Sequence, residues 1–587
     1  MEQSRVRPSK GFLLEISPYP TNCSWQSNFD NVVVQDGCVL YYDERCSKNT
    51  FVDIQTHRIF IYKGDKHLYQ SFRSTPQTLA TLPVESLTGT NIVFDRSNKQ
   101  LTIKTDILGT EPIFYTQIGK SLWVTDRIDN FSRFFDCSSD ILGIYSFIAI
   151  GAHLKDSTSL NNVFQTTELE TITYNSQRGN LKAITSNHWR SDPDADVESI
   201  KQAVNERLIA VLNDAPSSTL MLSAGWDSRV LMSESSYIKH TYTHGDIASR
   251  EVRLAKELGK TLATPMSFVP LKATHFGPEL NDQMLCQIGQ CLFPHWYQAS
   301  KCVSSLTGLP MASGMFVEHY SGHYGINIVR GVGRKRRTLQ SLLVPNRLDK
   351  IPDTEAIKQL AEFMLPGFKS LPWFIPNSVN FEELLMKFRA ELRACFEEYT
   401  ATGTSGIQEL SERFKMLHVE RQYMAKQTKT ASAHSGYHHP FADAQFSQLV
   451  LQLKYRHRVG YKLSKSTLES YKPALLDYPL AATLVNAKSS IFTQELSRFV
   501  RRAGEQIYAK STGKLPKGLG WNNFQFLNTT DVFHQCIDNL KNAFWDKVTM
   551  HQFVSEYRKA NKDAYSLVVM LGRIATIDYQ TSSHLYK

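Results

Sequence analysis

Over the first 190 residues the apolar positions come in short runs broken by turn residues. Asn31-Val32-Val33-Val34, Arg58-Ile59-Phe60-Ile61-Tyr62 and Gln100-Leu101-Thr102-Ile103 are runs of this kind and predict strands. Thr105 to Tyr115 and Ser121 to Arg127 flank Gly119-Lys120, with Pro112 opening the first strand, which predicts a hairpin. Asp140 to Ile150 changes to helical spacing and stops at Gly151. The acidic stretch Ser191-Asp192-Pro193-Asp194-Ala195-Asp196 marks a boundary and a helix start. Val197 to Leu212 then reads as an amphipathic helix.

Beyond that boundary the pattern is different. Thr219 to Leu222 is an apolar run short enough for a buried parallel strand, and helical spacing resumes after a break of small residues. His240 to Gly245 and Met266 to Pro270 predict two more strands, with a helix from Ser249 to Leu258 between them that stops at Gly259. Strand–helix–strand at this length means a right-handed parallel unit with ligand sites at the strand C-terminal ends. Asp353 to Phe363, Phe381 to Tyr399 and Ile407 to Lys426 predict a helical packing layer, and Ala564 to Ile577 a buried helix too short to span a bilayer. The expected architecture is a β-rich unit over 1–190 followed by a parallel α/β unit with added helices over 191–587.

Composition narrows this reading. A chain of 587 residues, 42% hydrophobic, is an ordinary globular protein with room for two or three domains. Nine scattered cysteines without a Cys-x-x-Cys read as reduced thiols and disfavour structural zinc. With no apolar leader behind Met1 to Arg7, the expected location is cytoplasmic, with no membrane partner. The net charge is +10, with one concentrated basic cluster at Arg330, Arg334, Lys335, Arg336 and Arg337. That cluster reads first as a solvated loop beside Gly331 and Gly333, and only second as a nucleic-acid contact.

Candidate chemistry centres on Ser223-Ala224-Gly225-Trp226-Asp227-Ser228, between the predicted strand and helix. Such a turn aims backbone N–H groups at one spot, which suits an anion. Gly225 permits close approach, and the serines add hydroxyls. Asp227 would repel a phosphate unless a cation lay between them, which argues for magnesium. No Gly-Lys-[Ser/Thr] is present, so this is not a Walker loop. His244 and Gly245 stand at a strand end where an adenosine would lie, and His434, His438 and His439 read as packing rather than metal ligands.

The loop resembles the pyrophosphate loop of enzymes that split ATP into AMP and pyrophosphate, with Ala224 in place of one glycine. Further segments, in order, resemble the asparagine synthetase family. Asp106, Gly109, Pro112 and Tyr115 match the hairpin of its glutaminase domain, and Asp126 stands near that domain's glutamate. Ser313, Gly314, Gly322 and Tyr324 match a Ser-Gly loop. Pro440-Phe441-Ala442-Asp443 matches a Pro-Phe-x-Asp segment, and Lys488 matches a late lysine. The resemblance implies an N-terminal glutaminase-like (Ntn-type) sandwich and a synthetase domain using ATP and magnesium. It implies nucleotide contacts at Leu222, Ser223, Gly225, Asp227, Ser228, His244, Gly245 and Gly314, metal ligands Asp227 and Glu318, and catalytic roles for Lys488 and Glu318.

Two departures bear on mechanism. Position 2 is Glu2 where the family has its nucleophilic cysteine, and Cys23 lies too far in to be terminal without processing, so glutamine hydrolysis is expected to be lost. Met315 stands at the family's acid–base glutamate, and a thioether accepts no proton; Glu318 and His319 are the available substitutes. The implied partners are a small-molecule or peptide carboxylate and an amine or ammonia. The rival readings are an RNA-modifying pyrophosphate-loop enzyme and a nucleotide-binding paralogue without turnover.

Overall fold

The computed structural model describes all residues except 1–10, 21–27, 45–46, 74–85, 366–371, 513–522, 586–587 and the single positions 188, 190, 193, 195, 332 and 561. Glu2, Cys23, Cys46, Pro193 and Ala195 lie outside the described residues.

The N-terminal part is a sandwich of two antiparallel sheets. One has the order β10-β8-β9-β1-β3-β2, built from β1 (Phe12–Ile16), β2 (Asn31–Gln35), β3 (Cys38–Tyr42), β8 (Phe114–Ile118), β9 (Ser121–Thr125) and β10 (Phe164–Gln165). The other has the order β12-β11-β7-β6-β5-β4, from β4 (Thr50–Ile54), β5 (Arg58–Lys63), β6 (Thr90–Asp95), β7 (Gln100–Lys104), β11 (Glu170–Asn175) and β12 (Asn180–Thr185). The predicted hairpin is β8–β9, paired Phe114 to Thr125 through Ile118 to Ser121. Alternate residues, among them Leu14, Leu40, Ile61, Ile92, Leu101 and Ile103, meet between the sheets as a buried core. The helix Ile141–Ile150 starts on Asp140, whose side chain accepts from the Leu142 and Gly143 N–H groups, and ends at Gly151 in the left-handed conformation.

The C-terminal part is helix-rich and holds a wholly parallel sheet ordered β15-β14-β13-β16-β17, from β13 (Ser218–Met221), β14 (Ile238–Gly245), β15 (Met266–Pro270), β16 (Met311–Ala312) and β17 (Tyr437–His438). The chain leaves β13 to build β14 and β15 on one side, then returns to β16 and β17 on the other. The crevice between β13 and β16 is therefore a topological switch point, where open parallel sheets bind ligands. Asp443 caps the helix Ala444–Gln452, accepting from Phe446 N at 2.8 Å, as its place after Pro440-Phe441 suggested. The expected helix 407–426 divides into Ile407–Phe414, a π-helical stretch Lys415–Met424, and Lys426–Lys429. Ala564–Ser582 is a buried helix, and no helix among the described residues is long and apolar enough to cross a membrane.

A buried polar seam joins the two parts. Lys429 bridges Glu111 at 3.0 Å, Tyr437 hydroxyl donates to Glu111, His438 pairs with Asp65, and Arg421 Nη1 donates to Thr166 O at 3.1 Å. The hairpin motif turns out to serve this seam. Asp106 accepts from the N–H groups of Gly89, Leu108 and Thr110, and Gly109, at φ +57°, lets Arg421 pass beside it.

Candidate functional site

The two loops at the switch point are those following β13 and β16. The first is closed on itself. Ser228 Oγ donates to Ser223 O at 2.9 Å and accepts from Ser223 N at 3.1 Å, while the two serine hydroxyls lie 3.0 Å apart. Gly225 N donates to Ser223 Oγ at 3.2 Å and precedes the helix Trp226–Leu231, whose six residues give only a small dipole. Arg229, fully buried in that helix, fixes the segment 475–479 by donating to the carbonyls of Leu475, Tyr478 and Pro479 at 2.7–3.1 Å.

The second loop is pressed against the first. A Cβ on Gly314 would lie 2.5 Å from the Asp227 Cβ, so only glycine permits this contact. Ser313 hydroxyl bonds to Thr428 hydroxyl, and Phe316, at φ +67°, donates its N–H to Glu420 Oε1 at 2.9 Å. Glu420 Oε2 accepts from the Tyr324 hydroxyl at 2.6 Å. Ser-Gly loop, Tyr324 and the π-helical stretch are thereby tied together; π-turns recur at functional sites.

Four carboxyls, Asp227, Glu251, Glu318 and Glu420, influence one another electrostatically here. Burial and the nearby Glu420 push Asp227 up to about 7. Burial and Asp227 raise Glu251 to about 7, while Glu318 is driven well above the usual carboxylate range by burial, then by Glu420 and Asp227. Glu318 Oε2 is buried without a hydrogen-bond partner. Carboxyls raised by one another's charge are a common mark of a site that holds a cation or moves protons. Among the described residues, no three His, Cys, Asp or Glu side chains are placed to hold a metal ion between them. Tyr461, at φ +62°, stacks on Trp226 with ring centroids 5.3 Å apart.

The remaining predicted residues are placed as follows. Leu222 is buried, its N–H donating to Tyr242 O at 2.9 Å. Gly245 ends β14 at φ +131°. His244 is buried edge-on against Trp296 at 4.3 Å, and burial lowers it to about 3, so it packs as a neutral ring. Lys488 pairs with Asp477 at 2.6 Å, both side chains 60% exposed, on the segment next to the one Arg229 fixes. His319 is buried and lowered to about 3 by burial and then by Arg458, with Nδ1 2.7 Å from Phe316 O. It is a poor base at neutral pH.

Sequence reasoning missed Glu420 and Glu251. Glu251 carries only the ordinary first-turn acid of a helix, and Glu420 lies 193 positions from Asp227 in a run that reads as a packing helix, so no local spacing links them.

At the level of architecture, an antiparallel sandwich followed by a helix-rich part with a parallel sheet is consistent with nucleotide-binding ligase superfamilies and with an enzymatic α/β fold. No family model matches the chain, and no curated protein matches it.

Proposed function

We propose that the protein is an ATP-dependent amide-forming ligase of the asparagine synthetase type, which activates a carboxylate as an acyl-adenylate. The observation that carries this reading is the packing of Asp227 against Gly314, which sets the serine loop and the Ser-Gly loop on either side of one crevice at the switch point. In it the carboxylate oxygen attacks the α-phosphorus of ATP and pyrophosphate leaves. An amine then attacks the acyl carbon, and AMP leaves with the proton balance falling to solvent or a side chain.

Magnesium fits the acidic residues. It is held by one or two carboxylates together with phosphate oxygens, so it needs no three-residue cage. Asp227 and Glu318 supply hard oxygens, the Glu318 Oε2 lacks a partner, and the mutual repulsion of these acids would be relieved by a cation. When bound it would neutralise charge on the pyrophosphate. Ser223, Gly225 and Ser228 would face that pyrophosphate, with Leu222, Gly245 and Gly314 lining the nucleotide and His244 packing behind them.

Lys488 would turn from Asp477 to the phosphates and offset charge in the transition state. An exposed ion pair of this kind is worth only about 0–1 kcal/mol, so Asp477 does not hold it back. Met315 leaves the attacking amine without the family's base. Nucleotide binding without turnover is the second reading, and Met315 is the observation favouring it.

The test is pyrophosphate release from ATP, measured against a panel of carboxylates, peptides and RNA. Release with a carboxylate or peptide, lost in Asp227→Asn, supports the ligase. Release only with RNA, or ATP binding with no release on any substrate, overturns it.

A further inference from the structure

One helix of the C-terminal part is built inside out. Ile491–Thr512 spans 22 residues, about 33 Å, yet none of them is buried. Its polar side faces the body of the protein. Arg250 reaches Glu505 at 3.1 Å and Ser497 hydroxyl bonds to Thr483 O, while Arg501 pairs with Glu505 within the helix at 2.6 Å and Gln494 Nε2 donates to Ser489 O just before it at 3.0 Å. Phe492, Leu496, Phe499, Val500 and Ile507 fall within about 100° of one another around the helix and point away from the body. They are 64, 52, 60, 61 and 68% exposed. Water does not favour a contiguous apolar stripe of this size.

The stripe continues onto the neighbouring helix Arg334–Leu343, whose Leu339 and Leu343 are 44 and 46% exposed. Lys335, four and eight positions before them on the same face, carries its amine 5.8 Å from the Phe499 ring centre. Three members of the basic cluster found in the sequence, Arg334, Lys335 and Arg336, open this helix and are exposed, with Lys335 next to the apolar stripe.

We propose that this face docks on an anionic lipid bilayer, the apolar side chains entering the acyl boundary and the arginines and lysines meeting lipid phosphates. An apolar face edged by basic groups is the signature of a helix lying in the membrane interface, and long cationic side chains can keep their heads at the phosphates while their stems lie in apolar surroundings. A second copy is the poorer occupant, because each chain carries +10 and would set the same arginine cluster against itself. This proposal departs from the sequence expectation of no membrane partner, and it does not depend on the proposed ligase chemistry.

Cosedimentation of the full chain with vesicles tests it. Binding is expected to vesicles of phosphatidylcholine and phosphatidylglycerol in about equal parts, weakening with salt, and to be far weaker on phosphatidylcholine alone. Phe499→Ser with Val500→Ser should reduce binding at least about tenfold, since each buried apolar side chain contributes more than that factor. Lys335→Glu with Arg336→Glu, at two exposed positions outside the helix Ile491–Thr512, should reduce it while leaving the apolar side chains in place. Absence of binding to the anionic vesicles overturns the proposal, as does binding that both pairs of substitutions leave unchanged. A concentration-dependent dimer that is lost in the Phe499/Val500 variant also overturns it, in favour of a second copy.

Discussion

At the scale of single residues, Asp227 is the side chain on which most depends. Its carboxyl ionises near 3.8 in the unfolded chain and at about 7 in the native one. Between those values the native state binds more protons, so stability falls as pH rises through that window and stays reduced above it. In magnesium-free protein at about pH 8, Asp227→Asn should therefore be more stable than wild type. The gap should close below about pH 4, and denaturant melts at the two pH values will show whether it does. The same substitution should abolish pyrophosphate release, and stability gained where activity is lost separates a functional carboxylate from a structural one. Lys488→Ala carries the opposite expectation: no change in stability, and turnover lower by the roughly 3–4 kcal/mol that a charge-stabilising group contributes in a closed site. An unchanged rate in a pyrophosphate assay would leave Lys488 as the surface partner of Asp477.

At the scale of elements, the meeting of two loops is decisive. The serine loop and the Ser-Gly loop touch through Gly314 and Asp227 at a distance that excludes a Cβ. Gly314→Ala must push them apart by a few tenths of an ångström or more. The expected result is a loss of about 100-fold in turnover, the scale of effect that misplacing reacting groups produces, with a loss of stability of about 1–3 kcal/mol from overpacking. Turnover within a few-fold of wild type would mean that the contact does not position reacting groups. Both loops were legible in the sequence because each follows an apolar run and carries glycine and serine at fixed offsets. Their adjacency was not legible, because it depends on β16 pairing with β13 across 92 positions, Thr219 to Met311.

At the scale of the molecule, the seam between sandwich and α/β part is buried and charged. Burial alone would raise Glu111, but Lys429 and Lys63 outweigh it and hold the carboxyl down at about 2. The stability from this group is present above its unfolded value of 4.5 and lost as pH falls toward 2. Glu111→Gln would leave Lys429 buried without its counter-charge. That should cost about 3–5 kcal/mol, and much of it should return when Lys429→Met is added. Chemical denaturation of the single and double variants measures this directly; equal stability of Glu111→Gln and wild type would show that the seam does not hold the two parts together.

The local features were set by the sequence alone: the strands of the sandwich, the helix ended by Gly151, the Asp443 cap and the serine loop. Each depends on residues within a turn or two of one another, where steric preference and short-range hydrogen bonding suffice. The tertiary structure alone decided the rest. Glu420 became a site residue only when its π-helical stretch was folded against the Ser-Gly loop. His244 became core when the aromatic rings of Trp296 and Tyr242 closed on it. The helix Ile491–Thr512 has an ordinary amphipathic spacing, which says that one face is apolar but not which way that face points. That direction was settled by Glu505 meeting Arg250 and Ser497 meeting Thr483, contacts between residues that no periodicity connects.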